Sequence, residues 1–162
     1  NILKFEPDII INLQGDMPNL NSDSISSLVR HMKTSKCDIG TLASKLDSKS
    51  DIDNPNIVKV AVKEKLSENN FLKALDFSRK NIETTHYIYH HVGIYAYTNQ
   101  ALLRYVKLKR SKLELERKLE QLRALENDMS IHVGYLSSCP LSVATEEDLI
   151  EIKKLMEKND KS

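Results

Sequence analysis

The passage Ile9-Ile10-Ile11-Asn12-Leu13, closed by Gln14-Gly15-Asp16, constrains this chain more than any other. A short, near-continuous apolar run from Asp8 to Leu13 reads as a strand buried on both faces. Beyond the loop through Pro18, Ile25, Leu28, Val29 and Met32 recur at helical spacing between Ser22 and Thr34, with Ser22 and Asp23 as caps. Strand, loop and helix make half of a βαβ unit. Asp38 to Ala43 supplies the next strand, and the polar run Lys45 to Asn56 reads as a loop.

The middle changes character. Ile57 to Val62, Phe71 to Phe77 and Tyr87 to Tyr97 are β-branched or aromatic, with Lys65 to Asn70 as a turn, which predicts mixed or antiparallel sheet. From Asn99 to Leu125 the spacing is helical again. It predicts a short helix to about Lys107, then a charged amphipathic one carrying Leu113, Leu119, Leu122 and Leu125. Ile131 to Leu136 is a further strand, and Thr145 to Lys158 a last helix capped by Thr145. The order is α/β with a β-rich insertion.

Composition narrows the function. With 24 Lys+Arg against 23 Asp+Glu, the 162-residue chain carries a net charge of +1, so no overall field draws it to nucleic acid or a membrane. A hydrophobic share of 40% with 29% charged residues suits one globular domain spanning 1–162. Cys37 and Cys139 fit neither a disulfide framework nor a four-ligand zinc cluster and read as inert packing residues. No stretch reaches the roughly 20 apolar residues of a membrane span, and a reducing cytoplasm is the expected compartment. The start at Asn1, without Met, suggests a piece of something longer.

Three groups of residues can carry chemistry. Gln14 to Pro18 follows the carboxyl end of a strand, where ligands sit in open α/β sheets; Asp16 there suits a hard cation such as Mg²⁺, or merely closes a βα turn. His86 and His90 are four apart, but on a strand that separation is about 13 Å, too long for one zinc. A single His facing a cleft is the better reading. Glu114, Glu116, Arg117, Lys118, Glu120 and Arg123 form a mixed-charge helix whose default role is a solvated face.

Taken in order, Asn12-Leu13-Gln14-Gly15-Asp16-Met17-Pro18, Asn56-Ile57-Val58-Lys59-Val60, Ala74-Leu75-Asp76-Phe77-Ser78-Arg79, His91-Val92-Gly93-Ile94-Tyr95-Ala96-Tyr97 and Leu119-Glu120-Gln121-Leu122-Arg123 resemble the motifs of the 3-deoxy-manno-octulosonate (KDO) cytidylyltransferases, or CMP-KDO synthetases. The resemblance runs from Asp8 to about Met156. Sialic-acid cytidylyltransferases share the early loop but match the later motifs less well. The resemblance implies a Rossmann-like, three-layer α/β/α nucleotide-diphospho-sugar transferase fold with a β-rich dimerisation and sugar-binding insertion. It implies a homodimer that couples CTP to KDO for lipopolysaccharide assembly, giving CMP-KDO and pyrophosphate. By motif position, Asp16 would hold catalytic Mg²⁺, and Gln14, Arg79, His91, Tyr95, Glu120 and Gln121 would bind substrate.

The chain departs from the family pattern in places. Ala144, within Val143-Ala144-Thr145, stands where the family has a second magnesium-binding Asp; Glu146 and Glu147 are the nearest carboxylates. Met17 replaces a common Glu, and Arg117 stands beside a shifted Glu116. The family's N-terminal βα units, with their phosphate-cradling CTP loop, are expected upstream of Asn1, and the 162 residues alone are expected to be inactive. Two alternatives remain at this level: a degenerate dimerising or sugar-binding chain, and a transferase for another acid sugar.

Overall fold

The computed structural model describes residues 6–14, 17, 20–68, 70–82, 85–140, 146, 149–150 and 153. Gly15, Asp16, Pro18 and Ala144 lie outside them; of the expected last helix, Glu146, Leu149, Ile150 and Lys153 are described and helical. The apolar segments become six strands of one sheet: β1 (Ile9–Asn12), β2 (Ile39–Ser44), β3 (Lys59–Val62), β4 (Phe71–Ser78), β5 (Tyr87–Thr98) and β6 (Ile131–Leu136). Their order is β1-β5-β2-β6-β4-β3, and β3 also pairs with β5, so five strands close into a ring that leaves β1 outside it. All pairings are antiparallel except β2 with β6.

β5 organises the sheet because it is twelve residues long and its two halves take different neighbours. Along one edge, β1 pairs with Tyr95–Thr98 and β3 with Tyr87–His90. Between Asn12 and Lys59 a stretch of that edge carries no strand. His91 N–H donates there to the Val58 carbonyl at 2.8 Å instead. On the other edge, the register with β2 jumps from Thr41↔Tyr95 to Leu42↔Val92, leaving Gly93 and Ile94 in a bulge.

Alternation along β5 divides two cores. Val92, Ile94 and Ala96 pack with Leu28 and Met32 of α1 (Ser22–Thr34), while Tyr89, Tyr95 and Tyr97 face the opposite side. That side is covered by α3 (Asn99–Tyr105), α4 (Lys112–Arg117) and α5 (Gln121–Glu126), through Ala101, Leu119, Leu122 and Ala124. Helices on both faces of a sheet are the three-layer arrangement expected.

Four local readings need correction. Among the described residues β1 pairs only with β5, and its isoleucines are partly buried rather than buried on both faces, because an edge strand is flanked by the side chains of one neighbouring strand instead of two. The Lys45–Asn56 segment contains a helix, α2 (Lys49–Asp53); Ser48 and Asp51 exchange side-chain and backbone bonds in a capping box that outweighs the polar composition. The cap of α1 is Asn21, whose side chain accepts from Asp23 N–H at 2.8 Å, rather than Ser22 or Asp23. The charged helix is two helices, broken at Lys118, whose φ of 54° and ψ of 44° are left-handed and end α4.

Candidate active site

The gap on the β5 edge opens into a cleft of about 440 Å³. Gln14 and Met17 enter it from the end of β1, Asn56 and Val58 from the approach to β3, and His91, Gly93 and Tyr95 from the same face of β5. Arg79 comes from the end of β4, and Lys118, Leu119, Glu120 and Gln121 from the break between α4 and α5. All six residues expected to meet substrate, Gln14, Arg79, His91, Tyr95, Glu120 and Gln121, therefore line one concavity. Asp16 lies outside the described residues, two positions beyond Gln14.

The left-handed Lys118 explains why a charged helix contributes to a cleft. It swings Leu119 to Gln121 toward the sheet, so Gln121 is buried at the first position of α5 while Glu120 stays exposed. The remaining charges of that region go to structure. Arg117 Nη1 donates to both oxygens of Asp76, at 2.7 and 2.8 Å, and to the Phe77 carbonyl at 3.0 Å, tying α4 to β4.

His91 is 6% exposed, and its Nε2 lies 2.9 Å from the Thr41 hydroxyl. That hydroxyl has one proton, and the Ile94 carbonyl takes it at 2.7 Å. Thr41 must then accept from His91 Nε2–H, which leaves Nδ1 as the ring's acceptor. Burial, reinforced by His90, pushes the imidazole pKa down to about 3. Because the unfolded chain protonates near 6.5 and the folded one near 3, His91 costs stability progressively as pH falls through that window. Nuclear magnetic resonance titration should show this ring neutral down to about pH 4; an inflection near pH 6 would contradict the arrangement.

Tyr95, buried beside Tyr97, has its pKa raised well above the ordinary value by burial and keeps its hydroxyl proton. Gly93 has open space where a Cβ would stand, so a side chain there would intrude on the cleft. Beneath the cleft, Lys59 is fully buried and its ammonium donates to the carbonyls of Asn54 and Arg79, the second at 2.9 Å. It clamps two walls together, and Arg79 Nη1 adds a bond to the Pro55 carbonyl at 3.3 Å. Burial lowers the Lys59 pKa, an effect opposed by Asp53.

The sequence reading gave no substrate-binding role to Thr41, Asn56, Lys59, His90 or Lys118. A lysine inside the apolar run Ile57–Val62 was a usable signal, since a buried cation demands acceptors; a threonine in a buried strand carried none.

Residues 2–131 match the family described as cytidylyltransferase. The chain belongs to the cytidylyltransferase family. It is similar to the 3-deoxy-manno-octulosonate cytidylyltransferase of Bartonella quintana (strain Toulouse), 44% identical over 151 residues, covering 91% of this chain and 60% of that one. The enzyme of the same name from Bartonella henselae is 42% identical over 153 residues, 92% of this chain and 61% of the relative. A solved structure of a CMP:2-keto-3-deoxy-manno-octonic acid synthetase complexed with CTP superposes with a TM-score of 0.84 at 31% identity, covering 96% of this chain and 64% of that one. This cytidylyltransferase chain thus spans about 60% of the length of the curated relatives it matches.

No helix among the described residues is long and apolar enough to cross a membrane. His86, His90 and His91 do not converge as a metal group among the described residues.

Proposed function

We propose that this chain forms the acid-sugar half of a KDO cytidylyltransferase, which joins CTP to KDO and releases pyrophosphate. The observation that carries the reading is the convergence of Gln14, Arg79, His91, Tyr95, Glu120 and Gln121 on the gap in the β5 edge. Arg79 and Lys118 supply two cations to a cleft whose one described carboxylate, Glu120, stands at the N-terminus of α5, which suits an anionic ligand.

Arg79 binds the sugar carboxylate, because its planar fork can donate two parallel bonds while one nitrogen still reaches Pro55. His91 Nδ1 accepts from a sugar hydroxyl, and Tyr95 and Gln121 offer donors. The neutral imidazole keeps that role across the physiological pH range. The anomeric hydroxyl oxygen then forms a bond to the α-phosphorus of CTP as the bond to the pyrophosphate oxygen breaks, and the hydroxyl proton is released to solvent.

The donors of the cleft fit Mg²⁺: Gln14 and Glu120 offer hard oxygens, Asp16 follows Gln14 by two positions in the sequence, and no cysteine is among the lining residues. Asp16 would hold the ion, and the ion would neutralise charge on the phosphate oxygens. The reading extends to a homodimer working in the cytoplasm for lipopolysaccharide assembly. Exposed Leu75, Leu103, Val106 and Leu115 offer apolar surface to a second copy, and the two free cysteines suit a reducing compartment.

Calorimetry with KDO tests the site. The chain should bind KDO, and Arg79→Gln should weaken binding by about 10- to 100-fold, the worth of charged hydrogen bonds to a carboxylate. Arg79 is exposed, so its loss leaves the fold intact. A folded chain that ignores KDO, or binds it equally well without Arg79, rejects the assignment.

A further inference from the structure

On the face of the sheet opposite the cleft, three soft or borderline ligand groups meet. His31 sits in the last turn of α1, Cys37 in the connection to β2, and His132 on β6. His31 Nε2 and His132 Nδ1 lie 2.9 Å apart, and a ring nitrogen of each histidine and Cys37 Sγ all lie within 4.8 Å of one another. We propose that His31, Cys37 and His132 form a binding site for a borderline d¹⁰ cation, Zn²⁺, with solvent completing the fourth position. No other group of three such residues converges among the described residues.

The packing holds these ligands close. Gly40 lets α1 lie against the sheet: a Cβ there would stand 2.7 Å from Leu28 Cδ1 and 2.8 Å from Met32 Sδ. Gly40 is also the register neighbour of His132 on β6. Phe71 lies over Gly134 and stacks flat on His31, ring centroids 4.0 Å apart and planes within 4°, which fixes the imidazole's orientation. A tetrahedral zinc site needs N···N of about 3.4 Å and N···S of about 3.6 Å, from ordinary Zn–N and Zn–S lengths. The observed 2.9 Å contact and the 4.8 Å limit bracket those values.

One ring carries the proton between His31 Nε2 and His132 Nδ1, and metal binding there moves it to that ring's other nitrogen. Burial lowers the pKa of both imidazoles, His31 with help from His132 and His132 with help from Lys73, which favours their neutral forms. Burial raises the Cys37 thiol, which sits 3.1 Å from Ser35 Oγ and 3.3 Å from Met32 Sδ. Binding therefore releases the thiol proton to the buffer, and below the thiol pKa the apparent affinity falls tenfold per pH unit. Asp38, beside Cys37, spends its carboxylate on Ser130 N and Oγ, at 2.8 and 2.9 Å. The bound ion would tie the end of α1 and the start of β2 to β6.

Titration of the metal-free chain with Zn²⁺ by calorimetry, and with Co²⁺ by absorption, tests this. One ion per chain is expected, with a thiolate-to-cobalt charge-transfer band and a rise in Tm on zinc binding. Cys37→Ser should abolish the band, and both it and His132→Gln should weaken zinc binding by about 100-fold or more. His132 lies partly exposed on its strand, so that variant stays informative if loss of the buried Cys37 disturbs folding. Cys139→Ser is the control, since Cys139 Sγ makes its own contact with His90 Nδ1 at 3.3 Å. No binding by the wild-type chain, or binding that survives both ligand variants or disappears only with Cys139→Ser, overturns the proposal.

Discussion

Replacing Glu114 by alanine should destabilise the fold by on the order of 3–5 kcal/mol, the usual cost of leaving one side of a buried ion pair without its partner. Glu114 is 2% exposed. Its carboxylate accepts from Arg123 Nη2, from Arg123 Nε at 2.7 Å, from Arg110 Nε at 3.1 Å and from Ser111 N–H at 3.2 Å. Arg123 also lies 4.9 Å over the Tyr105 ring, so one anion holds α4, α5 and the end of α3 in register. Against a typical total stability of about 5–15 kcal/mol, the loss is large.

The hydrogen bonds from Arg123, ahead of those from Ser111 and Arg110, hold the Glu114 pKa near 2 against an ordinary 4.5. Its stabilising contribution is therefore complete above pH 4.5 and disappears as pH falls from there to 2. Urea unfolding at pH 7 and pH 3 checks both statements: wild type should lose stability between them, and Glu114→Gln should lose less. A Glu114→Ala loss below about 1 kcal/mol would show that the cluster is an ordinary solvated pair.

On the proposed function, Asp16→Asn in the full-length protein should lower CMP-KDO formation by about 1,000-fold. A cation stabilising the transferring phosphoryl group is worth several kcal/mol, and each 1.4 kcal/mol is tenfold. Ala144→Asp should act in the opposite direction, since a methyl group cannot bind Mg²⁺ and the motif resemblance implies a carboxylate at that position. The two variants, assayed across a Mg²⁺ titration, separate the roles: the first should lose kcat, the second should gain rate at low Mg²⁺. If Asp16→Asn retains full Mg²⁺-dependent activity, Asp16 is a turn residue only.

The sequence reading placed Ser22–Thr34 and Ile131–Leu136 at their observed limits and found every strand, because periodicity and β-branched content are local properties. It erred where one local interaction overrode composition. The Ser48 and Asp51 capping box made a helix in a polar loop, and the left-handed Lys118 cut one amphipathic helix into two. The second error matters functionally, since Glu120 and Gln121 reach the cleft only because of that cut.

The expected substrate residues were legible from motif order, but their convergence was not. Nothing in spacing says that β1 and β3 share an edge of β5 and leave a gap between them. The cysteines show the same limit. Cys37 and His132 are 95 positions apart in sequence, and the inert reading of Cys37 followed from having no base beside it in the chain. What the sequence by itself determined is the kind of most elements, the family and the residue types that can do chemistry, because these follow from local pattern and motif. Which partners a group meets was decided only by the tertiary structure: Thr41 with His91, Lys59 with two carbonyls, His31 with Cys37 and His132. Those contacts join residues far apart along the chain, and only the pairing and packing of the whole sheet sets their distances.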